Sequence, residues 1–312
     1  MIVNSLNIEL PVGENFRIRK SRYYCENKNI EEQTRVSIVS GIHGDELEGQ
    51  YVCFLLNEWL NNNQDKIKGI IDIYPAMNSL GIDSITRSIP FYNVDLNRVF
   101  PGNKEDFLPA QIADAIVEEI SGSAVAIDIH SSNIFLREIP QVRMSQQYSQ
   151  ELLPLAKSLG IDFVWIHDAV TVLEATFAHS LNSRGTKTLV VEMGVGMRVT
   201  TEYCINLAEG IKNMLAQIGI LDIPIKELKK PIISQNGQVY YINSDSAGLF
   251  IPSMEHCEYV KKGDIIGKIV SPISGKIEQI IESPADGVLF TLREYPIVYE
   301  GSLIARIFGE NI

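Results

Sequence analysis

Two histidines, two glutamates and a basic pair carry the chemistry that this sequence offers. His43 and Glu46 lie three residues apart in Ser40-Gly41-Ile42-His43-Gly44-Asp45-Glu46-Leu47-Glu48-Gly49, directly after the apolar run Val36–Val39. An imidazole nitrogen and carboxylate oxygens form a donor set that suits Zn²⁺. The carboxyl end of a strand is where an α/β sheet gathers such groups. His130 ends a second apolar run, Ala124–Ile129, and is followed by Ser131-Ser132. Three ligands from two strand ends leave a coordination position for water, which catalytic zinc requires. No HExxH occurs, so the helix-borne zincin pattern does not apply. A lone histidine is more often core or surface filler, but here both histidines end apolar strands, which favours the metal.

Glu192, in Val190-Val191-Glu192-Met193-Gly194, places a carboxylate at the end of another apolar run. That position is costly unless the acid is paired or functional. As a general base, Glu192 takes a proton from the attacking water and returns it to the leaving nitrogen; a salt-bridged structural acid is the alternative. Asn97 and Arg98 sit in the segment Asn93–Gly102, with Arg87 shortly before it. In an otherwise acidic protein this pair suits a substrate carboxylate, which arginine grips through two parallel hydrogen bonds. Arg87 is a candidate to polarise the scissile carbonyl and stabilise its oxyanion; taken alone, either arginine reads as a surface ion pair. Asp95 reads as a structural partner inside the same loop, and Asp45 and Glu48 as outer or helix-start acids. Arg137 and Arg143 read as surface residues, with substrate contact as the alternative for one of them. His179 is a candidate pocket residue, whereas His167 and His256 read as ordinary surface or boundary histidines.

These residues need a scaffold, and its elements are legible in the periodicity. Strands are expected over Val36–Val39, Ile70–Tyr74, Ala124–Ile129, Phe163–Ile166 and Thr188–Val191. Helices are expected from Leu47 to about Leu60, then over Pro109–Ser121, Gln147–Leu159, Thr176–Ser183 and Tyr203–Ile218. Their alternation implies right-handed crossovers and an α/β fold, a largely parallel sheet between helices. Residues 1–35 read as short strands and turns. Asn78–Gly102 is polar and irregular over a length that suits a functional loop. Near Leu221 the texture changes to short β-rich runs broken by glycine or proline, the pattern of a small barrel. The expected division is a catalytic domain over 1–222, a linker over 223–234 and a β-rich domain over 235–312.

Composition narrows the partners. The chain has 312 residues, 45% of them hydrophobic, and a net charge of −12. Such acidity argues against nucleic acid or an anionic membrane as partner, while a local arginine cluster still admits an anionic small molecule. No apolar run approaches the roughly 20 residues that span a bilayer, and the N-terminus lacks the apolar core of a signal peptide. The four cysteines lie far apart without a CxxC, as expected of free thiols in a reducing cytosol. A cytoplasmic enzyme is therefore expected, with homo-oligomerisation left open.

The ordered motifs carry a resemblance. His43-Gly44-Asp45-Glu46, then Arg87, Asp95-Leu96-Asn97-Arg98-Val99-Phe100-Pro101-Gly102, Asp128-Ile129-His130-Ser131-Ser132 and Val191-Glu192-Met193-Gly194 together resemble the zinc carboxypeptidase superfamily. Within it, they look like the succinylglutamate desuccinylase/aspartoacylase branch, over roughly residues 30–200. The resemblance implies one Zn²⁺ per chain on His43, Glu46 and His130. It also implies substrate binding by Arg87, Asn97 and Arg98, catalysis by Glu192, and a mixed eight-stranded sheet between helices. The implied activity is zinc-dependent hydrolysis of a small N-acyl amino acid or similar carboxylate-bearing amide. A carboxypeptidase acting on short peptides or peptidoglycan stems, and an esterase, keep the same chemistry with other substrates. Val260–Ile269 and Ser283–Val288 look like a biotinyl/lipoyl-type hammerhead barrel. Lys276 falls eight residues before Pro284, but Gly275 and Ile277 flank it in place of the Met-Lys-Met frame. This speaks against a non-enzymatic carrier or scaffold and for a module that covers the active-site mouth, with Tyr295 and Tyr299 as the residues expected to reach the site.

Overall fold

The computed structural model describes residues 1–167 and 174–310. The first two-thirds of the chain runs β1 (Ile2–Glu9), β2 (Asn15–Tyr23), β3 (Arg35–Ser40), α1 (Glu48–Asn62), β4 (Ile70–Tyr74), α2 (Ser79–Asp83), α3 (Leu108–Ile120), β5 (Val125–Ser131), β6 (Leu136–Ser145), α4 (Ser149–Lys157), β7 (Phe163–His167), α5 (Phe177–Ser183), β8 (Lys187–Gly194) and α6 (Thr201–Gln217). All of β4 and β5 is buried, as is β3 after its first residue. Strands covered on both faces read as near-continuous apolar runs, which is why the sequence shows them so clearly.

These eight strands lie in one sheet in the order β1-β2-β4-β3-β5-β8-β6, with β7 beside β6. The centre, β4-β3-β5-β8, is parallel. β1, β2 and β6 add antiparallel pairings, and β7 runs parallel to β6. One face of the sheet packs on α1, α4 and α6 through Val52, Leu56, Leu152, Leu207 and Ile211. The other packs on α3 and α5 through Ile112, Ile116, Phe177 and Leu181. The mixed sheet between helices is therefore the expected one. β6 was not foreseen. Its charges Arg137, Glu138 and Arg143 break any alternation, and Pro140 sits where its register against β8 shifts, between Glu138 and Gln141.

The segment 78–102 is pinned rather than free. Ile89, Leu96 and Phe100 are buried in the same cluster as Ile42, Met77 and the inner face of α3. This fixes the polar residues between them.

The remaining strands are β9 (Ile232–Ile233), β10 (Gly237–Asn243), β11 (Gly248–Pro252), β12 (Tyr259–Val260), β13 (Ile265–Ser271), β14 (Lys276–Glu282), β15 (Gly287–Arg293), β16 (Ile297–Val298) and β17 (Leu303–Glu310). β14-β13-β11-β16 form a separate four-stranded antiparallel sheet. By contrast, β10, β12, β15 and β17 extend the large sheet, because β15 pairs with β6 at Thr291↔Glu138, Leu292↔Arg137 and Arg293↔Leu136. Ile139 and Phe163 pack with Phe290 and Phe308 across that seam. Lys276 opens β14 at an exposed hairpin opposite Ser271. Among the described residues, no helix is long and apolar enough to cross a membrane.

Candidate metal and substrate site

The turn after β3 needs two glycines for different reasons. Gly41 has φ +73°, and a Cβ there would lie 3.0 Å from the Pro75 carbonyl oxygen; a Cβ on Gly44 would lie 2.0 Å from the Gly81 backbone. The turn docks on the next segment, with Met77 N donating to Ser40 O at 3.1 Å and Asn78 N to Gly41 O at 2.7 Å. His43 and Glu46 thereby reach His130 near the end of β5. His43 Nδ1 lies 2.8 Å from Glu46 Oε1, and His130 Nδ1 lies 2.8 Å from Glu46 Oε2. Ser131 N and Arg87 Nη1 also donate to this carboxylate, at 3.1 and 2.8 Å. One donor atom from each of His43, Glu46 and His130 falls within 4.8 Å of the others, and all three residues are buried.

Each histidine is held from behind by a carboxylate. His43 Nε2 lies 3.0 Å from Asp95 Oδ1, and His130 Nε2 lies 2.9 Å from Asp128 Oδ2. With the imidazole proton on Nε2, toward these carboxylates, each Nδ1 lone pair would be free for an ion beside Glu46, the outer arrangement that orients metal-ligating histidines. Burial opposes the charged imidazoles, but Glu46 and Asp95 raise the pKa of His43, and Asp128 and Glu46 raise that of His130 further. Burial likewise opposes the Glu46 carboxylate, and the two histidines more than offset it, lowering its pKa. Metal ligation requires neutral imidazoles, and in that state three acids and Arg87 leave two negative charges here. A divalent ion balances that count, and two nitrogens with a carboxylate suit zinc. The residues therefore fit the metal.

A cavity of about 770 Å³ opens beside this cluster, lined by His43, Arg87, Asn97, Arg98, His130 and Glu192 among others. Thus six of the seven site residues expected from sequence face one space, and Glu46, the seventh, lies just behind it. In the parallel β5–β8 ladder His130 pairs with Glu192, which sets the acid next to the cluster. Burial raises the Glu192 pKa, while Arg143 and His130 act against the rise. Asn97 accepts the Phe177 backbone N–H at 2.9 Å, tying the loop to the start of α5. Arg98 donates to the Asn97 carbonyl at 2.7 Å and stays near the surface.

The match to known proteins is direct. Residues 32–218 match the family model of the succinylglutamate desuccinylase/aspartoacylase catalytic domain. The chain belongs to that family. It is 26% identical over 284 residues to the N-alpha-acetyl-L-2,4-diaminobutyric acid deacetylase of Halomonas elongata, covering 86% of this chain and 80% of the relative. It is 35% identical over 66 residues to the aspartoacylase of Xenopus tropicalis, a match to 21% of this chain and 20% of that one. The fold is shared with the product-bound ectoine utilization protein EutE (DoeB) of Ruegeria pomeroyi, at 18% identity and TM-score 0.82, covering 97% of this chain and 93% of that one. A succinylglutamate desuccinylase/aspartoacylase of Rhodobacter sphaeroides aligns with TM-score 0.79 at 19% identity, over 98% and 94% of the two chains.

Against this family frame, several residues fall elsewhere than the sequence placed them. Asp95 is more than a loop brace, because it binds His43 and also accepts Arg87 Nε at 3.2 Å. Asp128 also serves the site, because its two-residue spacing from His130 on a strand puts both side chains on one face. Arg143 lines the cavity, whereas Arg137 turns outward to Glu294 at 3.0 and 3.1 Å. His179, a candidate pocket residue, lines the cavity, and so does His167, expected to be an ordinary surface or boundary histidine. Tyr295 packs edge-on against Phe135, and Tyr299 is exposed; neither lines the cavity. The C-terminal strands reach it instead through Tyr241 and Arg306. Glu48 is no ligand; it begins α1 and accepts Thr200 N at 2.8 Å and Cys204 Sγ at 3.1 Å.

Proposed function

We propose that this chain is a zinc-dependent deacylase that hydrolyses the amide of a small N-acyl amino acid, with one Zn²⁺ held by His43, Glu46 and His130. The observation that carries the reading is the convergence of His43, His130, Glu192 and the Arg87-Asn97-Arg98 group on one cavity, with Glu46 bonded to both histidines. The printed activity of the Halomonas relative, an N-acetyl amino acid deacetylase, supports the substrate class. Residues 1–222 form the catalytic unit in this reading, joined through 223–234 to a β-rich unit over 235–312. The free cysteines Cys25, Cys53, Cys204 and Cys257 support a cytoplasmic location.

Bound at the triad, the ion supplies Lewis-acid polarisation of the amide carbonyl and lowers the pKa of water. Asp95 and Asp128 hold the two histidines in the tautomer that presents Nδ1. Glu192 accepts a proton from the attacking water as that water adds to the carbonyl carbon. The Arg87 guanidinium, anchored on Glu46 and Asp95, donates to the carbonyl oxygen as negative charge gathers there. Glu192 then delivers its proton to the nitrogen, and the amine leaves. Asn97 and Arg98 hold the substrate carboxylate, which fixes the amide between Glu192 and Arg87.

Turnover of N-acetyl and N-succinyl amino acids, measured beside short peptides and matching esters, tests the reading. Release of free amino acid from one or more N-acyl substrates is the expected result. Hydrolysis of peptides or esters alone would replace the substrate class and keep the chemistry. No hydrolysis by metal-loaded protein would overturn the reading.

A further inference from the structure

Beyond Glu192, charges alternate in sign along a row that crosses from the catalytic strands into the C-terminal ones. Arg143 Nη1 lies 3.5 Å from Glu192 Oε1, and Arg143 Nη2 lies 2.9 Å from Glu138 Oε1. Arg306 Nη1, on β17, donates to the same Glu138 oxygen at 2.8 Å. Gln141 donates to the other oxygen of Glu138. Trp165 fixes both guanidiniums, with Arg143 at 5.3 Å and Arg306 at 5.4 Å from its ring centre. Tyr241 covers Arg306 at 5.5 Å.

Glu138 is only 2% exposed, so it must be matched by cationic partners. Arg143 and Gln141 would satisfy most of that need alone. Because Arg306 takes a share of the same oxygen, Arg143 is not drawn wholly to Glu138. It stands at a long distance from Glu192, beyond a good charged hydrogen bond. A closed Arg143–Glu192 bridge would occupy the carboxylate; a withdrawn Arg143 would leave it unoriented.

We propose that Arg306 and Glu138 are positioning residues for Glu192, acting through Arg143, so that the C-terminal strands set the geometry of the base. This rests on the deacylase reading given above. Arg306 lines the cavity but bonds Glu138 and Thr291 rather than Glu192. Its role follows from sharing one buried carboxylate between two arginines, and the β15–β6 pairing that brings Glu138 beside Thr291 holds the row together.

The test is a kinetic cycle on the N-acyl amino acid that the wild-type protein hydrolyses fastest. Arg306→Gln is expected to lower kcat about tenfold and leave KM within about twofold, the pattern of an interaction that matters in the transition state. Arg306→Lys, which keeps the charge, should recover a large part of the loss. The double variant Arg143→Gln/Arg306→Gln should be no slower than Arg143→Gln alone, since residues acting through one partner are not additive. Metal content and melting temperature are read on each variant. If Arg306→Gln does not fold, Glu138→Gln serves in its place: Arg143 should close on Glu192 and kcat should fall, with no extra loss when Arg143→Gln is added. Unchanged kcat in Arg306→Gln, additive losses in the double variant, or a rise in KM alone would overturn the proposal while leaving the deacylase reading intact. Absence of wild-type turnover on every N-acyl substrate would overturn both.

Discussion

Asp72 and Glu46 are both carboxylates buried in the catalytic part of the fold, yet their surroundings complete them differently. Asp72, in β4, takes Lys20 Nζ at 3.0 Å and both Arg22 Nε and Nη2, at 2.7 and 2.6 Å. Lys20 also bonds Glu119 at 2.6 Å, so two cations face two acids and the account closes. Glu46 faces two imidazoles and one arginine, with Asp95 and Asp128 behind the imidazoles. There the acids outnumber the fixed cation by two. Of these two buried acids, the one that fits an ion is the one whose neighbours leave charge over and whose imidazole nitrogens face it. The first cluster braces strands; the second could hold an ion.

Substitutions can break or sharpen this contrast. The largest effect is expected from His130→Ala, which should lose stoichiometric metal by elemental analysis and with it essentially all turnover; retained metal would remove His130 from the ligand set. Glu192→Gln should keep its metal and fold but lose about 10²–10⁴ in kcat, the usual worth of a general base; full activity would reassign the base. Next come the matched pair. Asp128→Asn should weaken metal affinity about 10–100-fold, measured by competition with a chelator. Asp72→Asn should leave affinity unchanged but cost about 3–5 kcal/mol in denaturant unfolding, because it unbalances a buried ion cluster. If the two exchanged phenotypes, the distinction between bracing and binding would fail. The smallest effect is expected at Lys276, on its exposed hairpin: Lys276→Ala should shift stability by no more than about 0.5 kcal/mol, and intact mass should show no added group.

The contrast also shows which parts of this molecule a sequence reveals. The strand ends carrying His43, His130 and Glu192 stood out because apolar runs interrupted by one polar residue are rare without a reason. β6 stayed hidden for the converse reason. Glu138 and Arg143 face a seam and a cavity rather than water, so Leu136–Ser145 shows no strand period. β6 is the edge on which β15 docks, so without its signal the sequence does not show Arg143, Glu138 and Arg306 as neighbours. Asp128 was within reach through its spacing from His130. Asp95 was not, since only the folded loop brings it to His43, fifty-two residues away. The arrival of Tyr241 and Arg306 in place of Tyr295 and Tyr299 follows from strand pairings that local sequence does not encode.

Metal dependence of turnover tests the central claim most directly. Protein stripped by a chelator and assayed on an N-acyl amino acid should be inactive, and activity should return in proportion to added Zn²⁺ up to one equivalent per chain. Undiminished hydrolysis by the stripped protein, or restoration that ignores the His43–Glu46–His130 triad by persisting in His130→Ala, would contradict the account.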